Sequence, residues 1–265
     1  MQISRSQKIL TAVLEVAAAP AAAYGWTPLF IVASPRHSCG KTFVARLAAD
    51  YLRLEHGGVA AFDLNTGDEE LGLTRPEVTT YAEIGSTQAQ IALFDRLIVN
   101  DGVAKVVDVS NSLFQRFFGV TDEIGFFAEA HRRAIDAIVL YPAQEHPVAV
   151  RAYEILCRRL HPALIVPVVN EAVTTGTSVR ELYPFTRAAA VPLQIPALAP
   201  NLLIHTARTE WSFGDFHTRP PVSVPMDDAI ALRSWTKRAF FELRELELRL
   251  MLEKMRSSFS DQRKQ

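Results

Sequence analysis

A glycine, a lysine and a threonine stand together in the segment SPRHSCGKT, and these residue types are suited to holding phosphate. In a phosphate loop of the pattern G-x-x-x-x-G-K-[ST], backbone N–H groups surround the phosphates, the lysine neutralises charge and the hydroxyl coordinates magnesium. The octapeptide that begins at Pro35 supplies Gly40, Lys41 and Thr42 but has proline in place of the first glycine. The segment therefore indicates phosphate binding, with an ordinary strand-to-helix turn as the alternative.

Three polar residues follow apolar runs elsewhere in the chain, namely Asp63, Asp108 and Asn170. Ligands of parallel sheets bind outside the carboxyl ends of the strands, so we expect these side chains to converge near Lys41. A carboxylate at the end of the run AKVV is costly to bury without a partner, and hydrated magnesium is a suitable one. The alternatives are a turn residue for Asp63 and a helix cap or loop hydrogen bond for Asp108.

Alternating strand and helix patterns surround these residues and predict the fold. Apolar runs predict strands at residues 27–33, 59–63, 104–112, 136–143, 163–171 and 189–198. Helical spacing predicts helices at residues 41–56, 86–101, 121–134 and 147–161. We expect an α/β fold of the P-loop NTPase type, with a mainly parallel sheet, helices on both faces and one domain over residues 1–265. The prolines of residues 211–225 predict an irregular surface connection.

Both ends of the chain have helical patterns. Residues 5–18 predict an amphipathic helix within an N-terminal extension at residues 1–25, with a secretory signal as the alternative. Residues 227–256 predict one long amphipathic helix whose broad apolar face must be buried, either on the sheet or against a protein partner. Four glutamates in this helix disfavour attachment to anionic lipid.

The composition excludes several classes of protein. With 265 residues and 49% hydrophobic residues, a disordered or fibrous chain is excluded. The formal net charge of -1 gives no global attraction to nucleic acid, and the basic clusters HRR at residues 131–133 and RRLH at residues 158–161 support DNA contact only weakly. The two cysteines are too few for a disulfide framework, which predicts a reducing, cytoplasmic location.

The segments SPRHSCGKT, VAAFDLNTGD, VVDVS and VPVVNE, in this order and spacing, resemble the ParA/MinD group of P-loop ATPases over about residues 28–205. The resemblance implies binding of ATP and Mg2+, ATP-dependent face-to-face homodimerisation, and slow hydrolysis that times the positioning or partitioning of a cargo through protein partners. VPLQIPAL, WSFGDF and the last helix are loosely similar to members of the group encoded with conjugal-transfer systems, which implies a DNA-transfer setting.

The resemblance also implies residue roles. Lys41 would hold the β- and γ-phosphates, Thr42 the Mg2+, and Asp108 a metal-bound water. Asn170 would contact the base, and Pro196 belongs to the segment IPAL that would line it. The remaining cofactor contacts of the loop would come from Ser38, Cys39, Gly40 and Phe43.

The chain departs from the group's pattern at three places. Arg36 replaces the group's first loop lysine, which reaches the partner's nucleotide, but arginine keeps the charge and can grip phosphate oxygens. His37 and Ser38 replace glycines, and Asn65 replaces the second carboxylate of a D-x-D segment that begins at Asp63. The resemblance places catalysis on Lys41, Asp63 and Arg36. The alternatives are an ATP-dependent metabolic ligase or kinase on the same fold, and a nucleotide-binding scaffold that does not hydrolyse ATP.

Overall fold

The computed structural model describes residues 26–65, 70–174, 176–185, 187–208, 211–219 and 223–262, with residues 70, 176–178 and 257–262 described by backbone alone. The helix expected at residues 5–18 lies outside the described residues. The described chain forms an α/β structure around a single sheet of seven strands.

Every strand pairing in this sheet is parallel, in the order β3-β2-β4-β1-β5-β6-β7. The strands are β1 Thr27–Ala33, β2 Val59–Asp63, β3 Thr79–Tyr81, β4 Ala104–Val109, β5 Ile135–Pro142, β6 Leu164–Asn170 and β7 Leu193–Ile195. The expected α/β fold with a parallel sheet is confirmed. Since all seven strands point the same way, their carboxyl ends share one edge of the sheet.

The helices follow the strands and cover the sheet. They are α1 Lys41–His56, α2 Glu70–Thr74, α3 Thr87–Leu97, α4 Phe114–Glu123, α5 Phe126–Arg132, α6 Pro147–Arg159, α7 Gly176–Leu182, α8 Pro200–Thr206, α9 Phe213–Thr218 and α10 Met226–Gln262. The helix predicted at residues 121–134 is two helices, because the chain turns at Gly125 with a φ of 64°.

Two strands differ from the sequence prediction. The short edge strand β3 was not predicted, because three residues carry no readable alternation. The strand predicted at residues 189–198 is only the three-residue β7. Pro192 and Pro196 flank β7, and neither has the N–H that a longer ladder would need.

Strand β1 lies in the centre of the sheet and is buried along its whole length. Its side chains alternate between the two apolar layers: Phe30 and Val32 pack in one, and Leu29 and Ile31 in the other. The chain runs from β1 to β2 on one side and later crosses from β4 to β5 on the other side. The segment that follows β1 therefore sits at the point where the strand order reverses, which is where open α/β sheets form their ligand crevice.

The irregular surface connection predicted at residues 211–225 was wrong in its first part, where helix α9 is buried. Its residue Phe213 is fully buried and contacts Phe43 of α1 and Trp235 of α10, at ring-centroid distances of 5.6 Å and 5.6 Å. Asp50 of α1 fixes the start of α9 by accepting a 2.5 Å hydrogen bond from the Phe213 N–H. The prolines that suggested irregularity all follow this helix in sequence.

Helix α10 is longer than the predicted span of residues 227–256 and contains 37 residues. Its expected apolar stripe is buried and comprises Leu232, Trp235, Ala239, Leu243, Leu246 and Leu250. All six side chains pack in the same apolar layer as Phe30 of β1. In the part of the chain that the structure describes, no helix has the length and apolarity needed to cross a bilayer.

Replacing Phe213 by alanine tests the role of α9. We expect Phe213→Ala to lower the free energy of unfolding by about 3–5 kcal/mol, because it empties a fully buried ring site between α1 and α10. Phe241→Ala is the matched control, since the Phe241 side chain is 58% exposed, and its effect should stay within about 0.5 kcal/mol. Urea denaturation measures both changes. Equal stability of the two variants would contradict the packing of α9.

Candidate functional site

The loop after β1 turns sharply to start helix α1. Ser38 has a φ of 55° and Gly40 a φ of 81°, so two residues of the loop are in the left-handed region. A Cβ at Gly40 would lie only 2.4 Å from the Asn170 Nδ2. Glycine is required at position 40 both for the backbone angle and for the close approach of β6.

The backbone N–H groups of this loop from His37 onward are not used in hydrogen bonds within the described part of the chain. From His37 to Phe43, none of these groups has a hydrogen-bond acceptor among the described residues. The first turn of a helix leaves its N–H groups unpaired, and left-handed residues in the preceding turn gather further N–H groups into a concave anion site. The loop therefore presents free N–H groups, in the described part of the chain, at the N-terminus of a helix of 16 residues, an arrangement that can accept an anion.

Lys41 adds a positive charge beside these N–H groups. Its side chain is 8% exposed, and its Nζ donates a 2.7 Å hydrogen bond to the Arg36 carbonyl. The Nζ also lies 3.8 Å from the Cys39 Sγ, so the side chain folds back over the loop. No carboxylate forms an ion pair with Lys41 in the described part of the chain. An anion in the loop would supply the missing countercharge.

Two carboxylates lie beside the loop because β2 and β4 are paired with Asp63 opposite Asp108. The Asn65 Nδ2 bridges them, with hydrogen bonds of 2.7 Å to the Asp63 Oδ1 and 2.9 Å to the Asp108 Oδ2. Asp63 also accepts the N–H groups of Asn65 and Gly72, at 2.9 Å and 3.3 Å. Asn65 therefore holds two acidic side chains together that would otherwise repel each other.

Asp108 is the most unusual group of the site. Its side chain is fully buried, and its Oδ1 has no hydrogen-bond partner among the described residues. Burial raises the pKa of Asp108 to about 7, and the charge of Asp63 adds to the rise. The nearby Thr42 hydroxyl, the charge of Lys41 and the hydrogen bond from Asn65 oppose it. An unpaired buried carboxylate oxygen next to a hydroxyl fits a hydrated divalent cation.

Asn170 and Pro196 lie on the same edge of the sheet, at the ends of β6 and β7. The Asn170 Nδ2 donates a 3.5 Å hydrogen bond to the Cys39 carbonyl, which ties β6 to the loop. The Pro196 carbonyl accepts a 2.9 Å hydrogen bond from the Trp235 Nε1. A cavity of 370 Å³ adjoins Pro196 and is also lined by Glu171, Gln194, Lys237, Arg238, Phe241 and Glu242.

Three loop side chains have different surroundings. The Arg36 Nε is buried and has no hydrogen-bond partner among the described residues. His37 is exposed and its Nδ1 lies 3.1 Å from the Ser38 Oγ. The Phe43 ring packs against Trp235 with ring centroids 5.7 Å apart, so only its backbone faces the loop.

Sequence reasoning treated Asn65 only as a lost carboxylate, and the structure shows it as the bridge between two acids.

The two basic clusters considered for DNA contact lie away from this site, and ion pairs offset part of their charge. Arg132 and Arg133 both pair with Glu129 on helix α5. Arg159 pairs with Asp122 of helix α4. These pairs are exposed and reduce the local positive charge available to a phosphate backbone.

A pH-dependent stability test probes Asp108. Its pKa of about 7, against an ordinary 3.8, means that unfolding releases a proton between these values. Raising the pH through this window therefore removes stability, by up to about 4 kcal/mol. Asp108→Asn keeps an oxygen for Asn65 and does not titrate. We expect the variant to be more stable than the wild type at about pH 8 and similar at about pH 4.

Urea denaturation at both pH values, without Mg2+ or nucleotide, measures this difference. The exposed Asp95 on helix α3 provides a control, because Asp95→Asn should follow the wild type at each pH. An Asp108→Asn variant that is less stable than the wild type at the higher pH would contradict the buried, partly protonated carboxyl.

The sequence was compared with protein-family models and with curated proteins. No protein-family model matches the sequence, and no curated protein is significantly similar to it. A functional assignment therefore depends on the loop, the two carboxylates and the strand ends described above.

Proposed function

We propose that the chain binds ATP with Mg2+ in the loop after β1, hydrolyses it slowly, and uses the bound nucleotide as a dimerisation switch in the manner of the ParA/MinD group. The observation that carries this proposal is the row of N–H groups from His37 to Phe43, which have no acceptor among the described residues, beside the positive charge of Lys41, which forms no ion pair among them. This combination suits a polyphosphate, which needs several donors and a neutralising cation.

The phosphates would displace the internal contact of Lys41. Its Nζ donates to the Arg36 carbonyl, a neutral acceptor. A β- or γ-phosphate oxygen is a stronger acceptor because it carries charge. Lys41 would then exchange the carbonyl for phosphate, while the backbone from Ser38 through Cys39 and Gly40 to Phe43 holds the phosphates without side-chain rearrangement.

The metal would lie between Thr42, Asp108 and the phosphates. Mg2+ keeps several waters and is typically held by one or two carboxylates plus phosphate oxygens, so it needs no dedicated cage of protein ligands. This agrees with the described residues, in which no group of three His, Cys, Asp or Glu side chains could hold a metal. The unpaired Asp108 Oδ1 would accept a hydrogen bond from a metal-bound water.

Slow hydrolysis follows from the chemistry of the acidic pair. In phosphoryl transfer, protein groups mainly position the attacking water and neutralise developing charge. Asp63 is the carboxylate best placed to orient a water, but the amide and backbone N–H of Asn65 occupy its Oδ1. Lys41 and Arg36 would offset negative charge on the transferring group. The same occupied Asp63 favours the second candidate, a nucleotide-binding scaffold that does not hydrolyse ATP.

Arg36 gives the switch its dimeric form. Its Nε is buried without a hydrogen-bond partner among the described residues, on a loop at the open edge of the sheet. We infer that the guanidinium grips a phosphate of the nucleotide bound to a second copy of the chain. Both cysteines are free thiols, which is consistent with action in the cytoplasm.

Lys41→Ala tests nucleotide binding. We expect calorimetry to show that the wild type binds ATP-Mg2+, and light scattering to show that ATP-Mg2+ converts it from monomer to dimer. ADP-Mg2+ should give a smaller response in both measurements. Lys41→Ala should lose both, because the phosphates lose their main countercharge. Arg158→Ala is the control, since Arg158 is an exposed basic residue in the last turn of α6, outside the loop and outside the cavity beside Pro196. Tight ATP binding by Lys41→Ala would sink the proposal.

Asn65→Asp distinguishes the slowly hydrolysing switch from the scaffold that does not hydrolyse ATP. The substitution removes the amide donor between Asp63 and Asp108 and restores a second carboxylate. We expect it to destabilise the free protein, because three acids then lie together, and to raise single-turnover phosphate release with Mg2+ about tenfold. Phosphate release measured by a coupled fluorescent assay decides between the candidates. A wild type that releases none over many hours would favour the scaffold.

A further inference from the structure

Helix α10 carries a second apolar stripe on the side opposite its buried one. These side chains are between 45% and 78% exposed, and they are Met226, Ile230, Phe241, Leu248, Leu252 and Met255. Successive members are three, four, seven or eleven residues apart in the sequence. At the helical period, such intervals keep all six within a sector of about 80°. Exposed apolar residues aligned in this way along one helix differ from the scattered ones of an ordinary surface.

Basic side chains lie within and beside this outer stripe. Within residues 226–256, whose side chains are all described, the exposed charged residues are Asp227, Arg233, Lys237, Arg238 and Arg256. Asp227 lies in the first turn, where a helix favours an acidic residue. The other four exposed charged residues are basic, so a second copy of the same stripe would bring like exposed charges together. The complementary surface is an apolar stripe with acidic borders.

The surface around Phe241 is concave and not flat. Phe241 stands between a cavity of 170 Å³ towards α1, which Leu54 also lines, and a cavity of 370 Å³ towards β7, which Pro196 also lines. Depressions on both sides of an aromatic ridge match the knobs of a partner helix packing across it. A bilayer surface would cover the ridge but would leave the two depressions unfilled.

The acidic groups that line these depressions are already engaged. Glu55 forms an ion pair with Arg244 at 2.5 Å. Glu242 accepts a 3.1 Å hydrogen bond from the Gln194 N–H, and Glu171 accepts a 3.3 Å one from the Ala197 N–H. Neighbouring Lys237 and Arg238 form no ion pair among the described residues and so remain available to carboxylates of a partner.

We propose that the outer stripe of α10 is the docking surface for an acidic amphipathic helix of a partner protein. Phe241 and Leu248 are its apolar anchors, and Lys237 and Arg238 pair with the partner's acidic border. The surface is complete in the described chain without any nucleotide, so this inference goes beyond the nucleotide switch and stands or falls independently of it.

A designed peptide tests the surface on the full chain. The probe is a fluorescent helical peptide of about 28 residues, long enough for four heptads, with leucine at the a and d positions and mostly glutamate elsewhere. A second peptide carries lysine in place of glutamate. We expect the acidic peptide to bind in fluorescence anisotropy, with an affinity that falls as salt rises, and the basic peptide not to bind.

Variants locate the contact. Phe241→Ser and Lys237→Glu should each weaken binding of the acidic peptide, the first by about tenfold or more because it removes an apolar anchor. Ile91→Ser is the matched control, because Ile91 on α3 is 56% exposed against 58% for Phe241, and it should bind as the wild type does. Thermal melts of all three variants establish that they fold.

Four results would overturn the proposal. The first is no binding of the acidic peptide, and the second is equal binding of both peptides. The third is binding to vesicles of phosphatidylglycerol and phosphatidylcholine without peptide binding, which would assign the stripe to a membrane. The fourth is a nucleotide-independent dimer that Phe241→Ser dissociates, which would assign it to a second copy of the chain.

Discussion

Burial of β1 on both of its faces is the constraint on which the rest of the structure depends. Every residue from Thr27 to Ala33 is buried, so the chain can place no free polar group along this strand. Polar chemistry begins only at the carboxyl end, where the chain must turn and start α1. The turn leaves the N–H groups from His37 to Phe43 without acceptors among the described residues, at the point where the strand order reverses. Burial of the central strand thus places a loop with free N–H donors and positive charge, in the described part of the chain, at the carboxyl edge of the sheet.

The acidic pair beside this loop is the second consequence of sheet geometry. Parallel pairing of β2 with β4 sets Asp63 directly opposite Asp108, and two buried carboxylates at this spacing repel each other. The Asn65 amide relieves the repulsion, and so does partial protonation of Asp108, whose pKa burial raises to about 7. A bound cation would relieve it more effectively, because it would favour the ionised carboxylate. The free and loaded states would therefore differ in charge as well as in ligand.

Helix α10 connects the edge of the sheet with the outer surface. Its Trp235 contacts Phe43, the neighbour of Thr42 in the loop, and also holds the Pro196 carbonyl. Trp235 lies on the buried stripe of α10, while Phe241 lies on the outer stripe and adjoins a cavity that Pro196 also lines. A single aromatic contact therefore joins the start of α1 to the helix that presents the outer stripe. Any shift of α1 on ligand binding would press directly on α10.

The sequence by itself determined the parallel α/β fold, the position of Lys41 in a strand-to-helix turn and the buried stripe of α10, because apolar periodicity reports which face of an element is buried. It also placed Asp63, Asp108 and Asn170 at one edge, because parallel strands end together. Only the tertiary structure decided the bridge through Asn65, the burial of α9 and the exposed side of α10. Each of these depends on side chains far apart in sequence, such as Phe43 and Phe213, and local patterns carry no record of such contacts.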